Sequence, residues 1–553
     1  MRIGIYLGYA PYIKPMSLKQ EGLGRYLSFL LKGFTQTGNH LTIACPNWVV
    51  PLLEELFTEE DIDTTNIELL TPSTESVLFS GYIKWINRKQ MQRVKKNRLR
   101  KAVVNWTDSI LELFLRVKNV VVFFALIILC VLIGIIVLPF AILGGVIYSL
   151  LRLTKAIFQK VFRMSASKIA LRRRLERSSI VRSVKERWDG VAVQEKIRRY
   201  SANEIIRKAN HMKNPPDIWY SPTAFWNEFN SFPGVRVICA PDLVTTEFPS
   251  KFSQGRFFDA TEKISSTIEK GQYFITYCDY LRDSLLLGKF FKDKDDVAVI
   301  THAQNDMLPF LNLENYFKRV PFKEDVNTYF AKNVVLPEVL AHAVNMSSFL
   351  LSYDSVNNFS FKDVDYLFYP SQVRGNKNIL NLVKAYEYLL RNRNIRIKLV
   401  LTCNINYDED LRNYIYNNRL QYDVLSFSSV TAQQLAALYM CAKLVVNPTL
   451  YEGGFPFTFG EGMSVGTPSV MSNIPQVMEV MQDADMSDYL FDPYDYMDMA
   501  DKIEKGLQNR VELLEKERNI YSKLSGRTWE DVCKEYIQAF QYFINRSKNE
   551  DVE

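Results

Sequence analysis

Two glutamates nine positions apart, Glu452 and Glu461, frame a glycine-rich stretch, PTLYEGGFPFTFGEGMSV at 448–465. A carboxylate at such a strand end accepts hydrogen bonds from ribose or sugar hydroxyls. Gly453, Gly454 and Phe455 lie between the two, where backbone can come close to a ligand. The helix dipole alone also favours a glutamate in a first helical turn. Upstream, LFYPSQVRGNKN at 367–378 puts Arg374 and Lys377 in a loop between a strand and a helix. An ammonium just before a helix start can join the helix dipole in neutralising a diphosphate; a solvated surface lysine is the plain alternative. Near the N-terminus, Gly22 and Gly24 sit in EGLGR, where a strand loop meets a helix. Glycines there admit a phosphate to backbone N–H groups, or simply make a tight turn.

These residues need elements to hold them, and the pattern supplies two sets. MRIGIYLGYA opens as a strand entering a loop, and EGLGRYLSFLLKGFTQTGNHLTIACP continues as loop, amphipathic helix and second strand. The runs DIWYSPTAFW, VRVICAPDLV, QYFITYCDYLRDSLL and VAVITHAQNDM repeat the rhythm. It restarts from about residue 346. The strand VDYLFYP precedes a helix with apolar Ile379, Leu382, Val383, Tyr386 and Leu389. IRIKLVLTC, YDVLSFSSV, KLVVNPTL and TPSVMS read as further strands, and Thr431 with Gln434 opens a helix as a capping box. Short apolar β-rich runs alternating with helices imply parallel α/β sheets. The expected architecture is two Rossmann-like domains facing a cleft, with ligands beyond the carboxyl ends of the strands.

In order and spacing these segments resemble the retaining GT-B glycosyltransferases of family four, in particular the mannosyltransferase-like branch. GLGRY resembles the donor-phosphate loop, CAPDLVTTEFP the His-Asp segment, YPSQVRGNKNILNLVKAY the lysine loop and NPTLYEGGFPFTFGEGMSVGTPSVMSNIPQVMEV the two-glutamate signature. FDPYDYMDMADKI and GRTWEDVCKEYIQAF resemble the closing helices. The resemblance implies that Lys377, with Arg374, binds the donor diphosphate and assists its departure. It implies that Glu461 holds the ribose, and that Glu452 with Gly453, Gly454 and Phe455 holds the donor sugar. Gly22 and Gly24 would admit the phosphate, and Asp242 would lie at the donor sugar. No metal and no cofactor is implied beyond a GDP- or UDP-linked sugar as co-substrate. Three departures stand out: the glutamates are nine apart where the family has eight, Gln372 stands where many members have Arg, and Pro241 replaces the His before Asp242.

Composition bounds the class. The chain has 553 residues, 47% hydrophobic and 23% charged, which excludes a disordered, collagen-like or polytopic membrane protein. Seven scattered Cys without a CxxC pair, and only four His, argue against a disulfide framework or a zinc site. The net charge of +7 is not uniform. Residues 81–213 hold 29 Lys and Arg against 7 Asp and Glu, and the rest of the chain is net acidic by 15. An acidic bulk argues against nucleic acid; a basic block argues for anionic lipids. Within that block, 119–151 runs for 33 residues without a charge. A straight helix of that length would measure about 50 Å against about 30 Å of hydrocarbon. Pro139 lies inside it and basic residues flank both ends. A single tilted span is the alternative, but it would split the first sheet across a bilayer. A re-entrant hairpin or a surface-lying segment keeps both ends on one side, and the hairpin is the expectation.

The expected organisation is therefore an N-terminal Rossmann-like domain from 1–75 and 215–345 and a basic insert at 76–214 carrying the hairpin 119–151. A nucleotide-sugar-binding domain at 346–527 and a closing helix and tail at 528–553 complete it. The expected function is a retaining hexosyltransferase on the cytoplasmic face of the cell membrane, acting on a lipid-linked or membrane-proximal saccharide. Its competitors are a non-catalytic membrane scaffold with a degenerate transferase fold and, with no reason for the insert, a GT-B epimerase or phosphorylase.

Overall fold

The computed structural model describes residues 1–11, 18, 22–72, 190–241, 243–248, 256–311, 326–339, 364–427, 430–482 and 484–550. The hairpin 119–151, most of the basic block and Asp242 lie outside the described residues. Among the described residues no helix is long and apolar enough to cross a membrane.

The first sheet has seven strands: β1 (Arg2–Tyr6), β2 (His40–Ala44), β3 (Ile67–Leu70), β4 (Ile218–Ser221), β5 (Arg236–Cys239), β6 (Tyr273–Thr276) and β7 (Val297–Val299). Their order is β3-β2-β1-β4-β5-β6-β7, parallel throughout. The second has six: β8 (Tyr366–Tyr369), β9 (Lys398–Leu401), β10 (Val424–Ser426), β11 (Leu444–Asn447), β12 (Ser469–Ser472) and β13 (Leu490–Phe491). Their order is β10-β9-β8-β11-β12-β13, also parallel. Two doubly wound parallel sheets are thus what the strand–helix rhythm implied.

Each sheet is covered on both faces, so its strands are apolar at successive positions. In β8, Leu367 and Tyr369 join one buried cluster while Tyr366 and Phe368 join the other. The first cluster is completed by α5 (Ile379–Arg391), whose Ile379, Leu382, Val383, Tyr386 and Leu389 are all buried. Each such side chain contributes roughly 1.5–3 kcal/mol. The second is completed by α7 (Ala432–Cys441), which opens with the expected capping box. Thr431 Oγ1 accepts from the Gln434 amide at 3.2 Å, and Gln434 Oε1 accepts from the Thr431 amide at 2.9 Å.

The elements between are α1 (Gly22–Gln36), α2 (Val50–Glu59), α3 (Gly190–Ala209), α4 (Arg256–Lys270) and α6 (Glu409–Asn417). α8 (Phe457–Ser464), α9 (Pro475–Met481), α10 (Tyr496–Gln508), α11 (Arg510–Ser525) and α12 (Trp529–Glu550) complete the chain. Both sheets belong to one compact unit; a second unit comprises residues 9–15 and 72–204 and includes the first part of α3. Within the first unit α12 returns to the N-terminal sheet and packs on α1. A Cβ on Gly33 would stand 2.1 Å from Cys533 Sγ, so only glycine lets the two helices meet there. Phe29 stacks on Trp529 with centroids 4.4 Å apart. Beneath them, the hydroxyl of Tyr26 bonds those of Tyr220, at 2.9 Å, and Tyr536.

One buried acid ties α11 to the second sheet. Glu517 is fully buried, and its carboxyl accepts from the Ser469 amide at 2.8 Å and from Ser469 Oγ at 2.7 Å. Burial pushes its pKa up to about 8. The raised value means that folding favours the protonated form. The stability Glu517 contributes is complete below its unfolded pKa and is lost as pH rises toward and through 8. Glu517→Gln, which mimics the neutral acid, is expected to flatten the fall in melting temperature between pH 6 and 9. Thermal unfolding of parent and variant across that range checks it.

Candidate active site

The second sheet changes direction at its centre. β8 is flanked by β9 on one side and β11 on the other, so the loops leaving β8 and β11 diverge and open a crevice between them. Lys377 lies on the first of these loops and Glu452 on the second. Their side chains meet there, Lys377 Nζ to Glu452 Oε1 at 2.5 Å, each about one-fifth exposed. Partial burial and a short charge-assisted bond distinguish this lysine from a solvated surface residue.

The surrounding backbone is stitched to keep the pair in place. Asn376 Nδ2 donates to the Tyr451 carbonyl at 3.0 Å, and the Leu450 amide donates to the Asn376 carbonyl at 2.8 Å. Thr449 Oγ1 donates to the carbonyls of Asn376 and Tyr451. Asn378 then takes φ +54°, a left-handed turn that Asn tolerates better than most residues, and leads into α5. Its Nδ2 donates to the Pro493 carbonyl at 2.7 Å. Arg374, on the same loop, is exposed and turns its guanidinium to Gln372 Oε1 at 3.2 Å.

Glu461 is the fifth residue of α8, beyond its first turn, so the helix dipole does not account for it. It is buried, and each carboxylate oxygen has a partner. Tyr439 donates to Oε2 at 2.6 Å and Asn305 Nδ2 donates to Oε1 at 3.0 Å. Arg25, half exposed on the first turn of α1, stands 3.9 Å from Oε1. At that distance and exposure the ion pair is worth about 0–1 kcal/mol. Arg25, Asn305 and Tyr439 are functional candidates that spacing did not single out. Arg25 alone carried a signal, as a cation directly after Gly24 at a helix start.

The glycines divide by role. A Cβ on Gly24 would stand 1.8 Å from the Leu18 carbonyl oxygen, so its small size serves a backbone crossing. Gly22 opens α1, and among the described residues nothing stands within 4 Å of the place a Cβ would take. Gly453 and Gly454 lie against Pro241 and Tyr277 of the first sheet's loops. Phe455 is partly buried against the second sheet's core and meets Phe459 edge-on at 5.2 Å.

The segment after β7 runs along α8. His302 is packed among Tyr277, Phe457 and Trp529, Gln304 meets Gly460, and the Met307 amide donates to Ser464 Oγ at 3.0 Å. Burial, aided by the Arg527 charge, pushes the His302 pKa down to about 3. It is a neutral aromatic spacer at any working pH.

Residues 354–523 match the family described as Glycosyl transferases group 1. The chain has the GT-B glycosyltransferase fold. Over 280 residues the GT-B chain is 24% identical to the Escherichia coli serotype-specific mannosyltransferase WbdA, covering 45% of this chain and 34% of that one. Over 146 residues it is 30% identical to the Escherichia coli O-antigen chain mannosyltransferase B, covering 26% and 37%. The chain thus spans about a third of the length of these two mannosyltransferases. Anabaena HepE, solved in complex with UDP and glucose, superposes over 98% of this chain and 99% of its own, with a TM-score of 0.50 at 11% identity. At that identity the likeness speaks to the fold alone.

Tyr439→Phe removes a bond to a buried carboxylate without removing the ring. It is expected to cost about 1–3 kcal/mol of unfolding free energy. Urea denaturation measures it, with the slope of the transition unchanged.

Proposed function

We infer that this chain is a retaining, metal-independent hexosyltransferase that moves a sugar, mannose as the first choice, from GDP or UDP to a lipid-linked or membrane-proximal saccharide. The observation that carries the reading is the Lys377–Glu452 pair in the crevice between β8 and β11. The relatives named as mannosyltransferases support the sugar. The basic block at 81–213 and the apolar run at 119–151 support a cytoplasmic membrane face and anionic lipids as partners.

In this reading Lys377 neutralises the diphosphate as the glycosidic bond breaks, with Arg374 on the same loop as a second cation. Glu452 accepts from donor-sugar hydroxyls, and Gly453 to Phe455 offer backbone amides. Glu461, held by Tyr439 and Asn305, receives the ribose, and Gly22 opens the way for the phosphate at the head of α1. The acceptor hydroxyl attacks the face from which the diphosphate leaves, and the departing phosphate takes its proton. No side-chain base is assigned.

Detergent-solubilised protein, offered a panel of GDP- and UDP-sugars with membrane lipid extract, is expected to release one nucleoside diphosphate. Lys377→Ala and Glu461→Ala should each lower the rate by about 10²–10³-fold. Equal rates in parent and variants would refute the site. Silence of a folded parent with every donor would favour the non-catalytic scaffold.

A further inference from the structure

Tyr451 directly precedes Glu452 in the chain, yet its side chain points away from the second sheet's own loops. Its hydroxyl, buried, donates to the Pro241 carbonyl at 3.0 Å and accepts from the Leu243 amide at 3.1 Å. One atom thus holds two backbone groups of the segment that follows β5 in the other sheet. At its other end Tyr451 is held by its carbonyl, which accepts from Asn376 Nδ2 and Thr449 Oγ1. Asn376 is the neighbour of Lys377. A continuous series of bonds therefore runs from the Lys377 turn, through Tyr451, to Pro241 and Leu243.

The two glycines that follow complete the contact. A Cβ on Gly453 would stand 3.0 Å from both the Cβ and the carbonyl oxygen of Pro241. A Cβ on Gly454 would stand 2.9 Å from Tyr277 Cβ. Contacts that short require a neighbour to move, and here the neighbours are backbone or rigidly attached to it. Gly453 and the proline at 241 are therefore two sides of one interface: the loop lies flat on Pro241 because Gly453 carries no Cβ.

We propose that Tyr451 is a positioning residue. Its hydroxyl clasps Pro241 and Leu243, beyond β5 of the first sheet, to the Glu452 loop of the second, and Pro241 with Gly453 forms the seat on which that clasp closes. Its hydroxyl is engaged by the Pro241 carbonyl and the Leu243 amide, so Tyr451 acts through the placement of Glu452 against the opposite wall. The catalytic part of the proposal rests on the transferase reading above. The clasp itself does not.

Tyr451→Phe removes the hydroxyl and keeps the ring, and Gly453→Ala lifts the loop from Pro241 while leaving the hydroxyl. Amide exchange in peptides covering 238–248, kcat and KM for GDP-mannose, and the Kd for GDP are measured for parent and both variants. Both variants are expected to exchange about tenfold faster at 243 and to lose about tenfold in kcat, with the Kd for GDP within about twofold of the parent. Parent-like exchange in Tyr451→Phe overturns the clasp. Faster exchange with unchanged kcat overturns the positioning role. A parent that turns over no donor refutes the transferase reading instead, and the exchange result then decides the clasp by itself.

Discussion

The direction change between β8 and β11 is the constraint on which the rest depends. Parallel strands connected by right-handed crossovers send successive helices to one face until the order reverses. At the reversal, neighbouring strands feed loops that part company. β8 leads to Lys377 and β11 to Glu452, residues 75 positions apart in the chain that meet at 2.5 Å. No local preference brings them together. Strand order does, and strand order rests on two apolar clusters that bury opposite faces of the same sheet.

Among the described residues the chain that follows the first sheet meets the second through apolar side chains, Met307, Leu311, Phe330 and Val335 of its buried cluster, and through polar contacts. Glu479 accepts from the Asp279 amide at 3.1 Å and from the Tyr280 amide at 2.5 Å. Arg527 Nε donates to the Thr301 carbonyl at 3.1 Å, while Asn305 reaches Glu461. α12 then returns to the first sheet and packs on α1 through Cys533, Trp529 and a shared set of tyrosine hydroxyls. Polar contacts of this kind are directional and individually modest. They specify one arrangement of the two sheets through partners whose geometry must match.

Much of this was legible beforehand, for identifiable reasons. Strand and helix identities follow from period and turn residues, which are local. The apolar face of α5 and the Thr431–Gln434 capping box are cases where side-chain spacing and backbone geometry refer to the same few residues. Lys377, Glu452 and Glu461 stood out because unusual residue types recur beside glycines at strand ends. Arg25, Asn305, Tyr439 and Tyr451 did not. Each acquires its importance from a partner more than twenty residues away, and an asparagine or tyrosine has nothing in its local pattern to separate it from an ordinary core or loop residue.

The sequence by itself determined two doubly wound parallel sheets, the ends of strands at which charge collects, and the strongly uneven distribution of that charge. These follow from hydrophobic periodicity, turn chemistry and composition, all of which are properties of short stretches. Only the tertiary structure decided what each glycine is for. Gly24 accommodates the Leu18 carbonyl, Gly33 a helix crossing, and Gly453 the ring of Pro241. It also decided that Glu461 is a buried, doubly bonded carboxylate instead of a dipole-stabilised first-turn acid. The reason is the same in every case: a missing Cβ or a buried carboxylate has meaning only in relation to the atoms that face it, and those atoms come from distant parts of the chain.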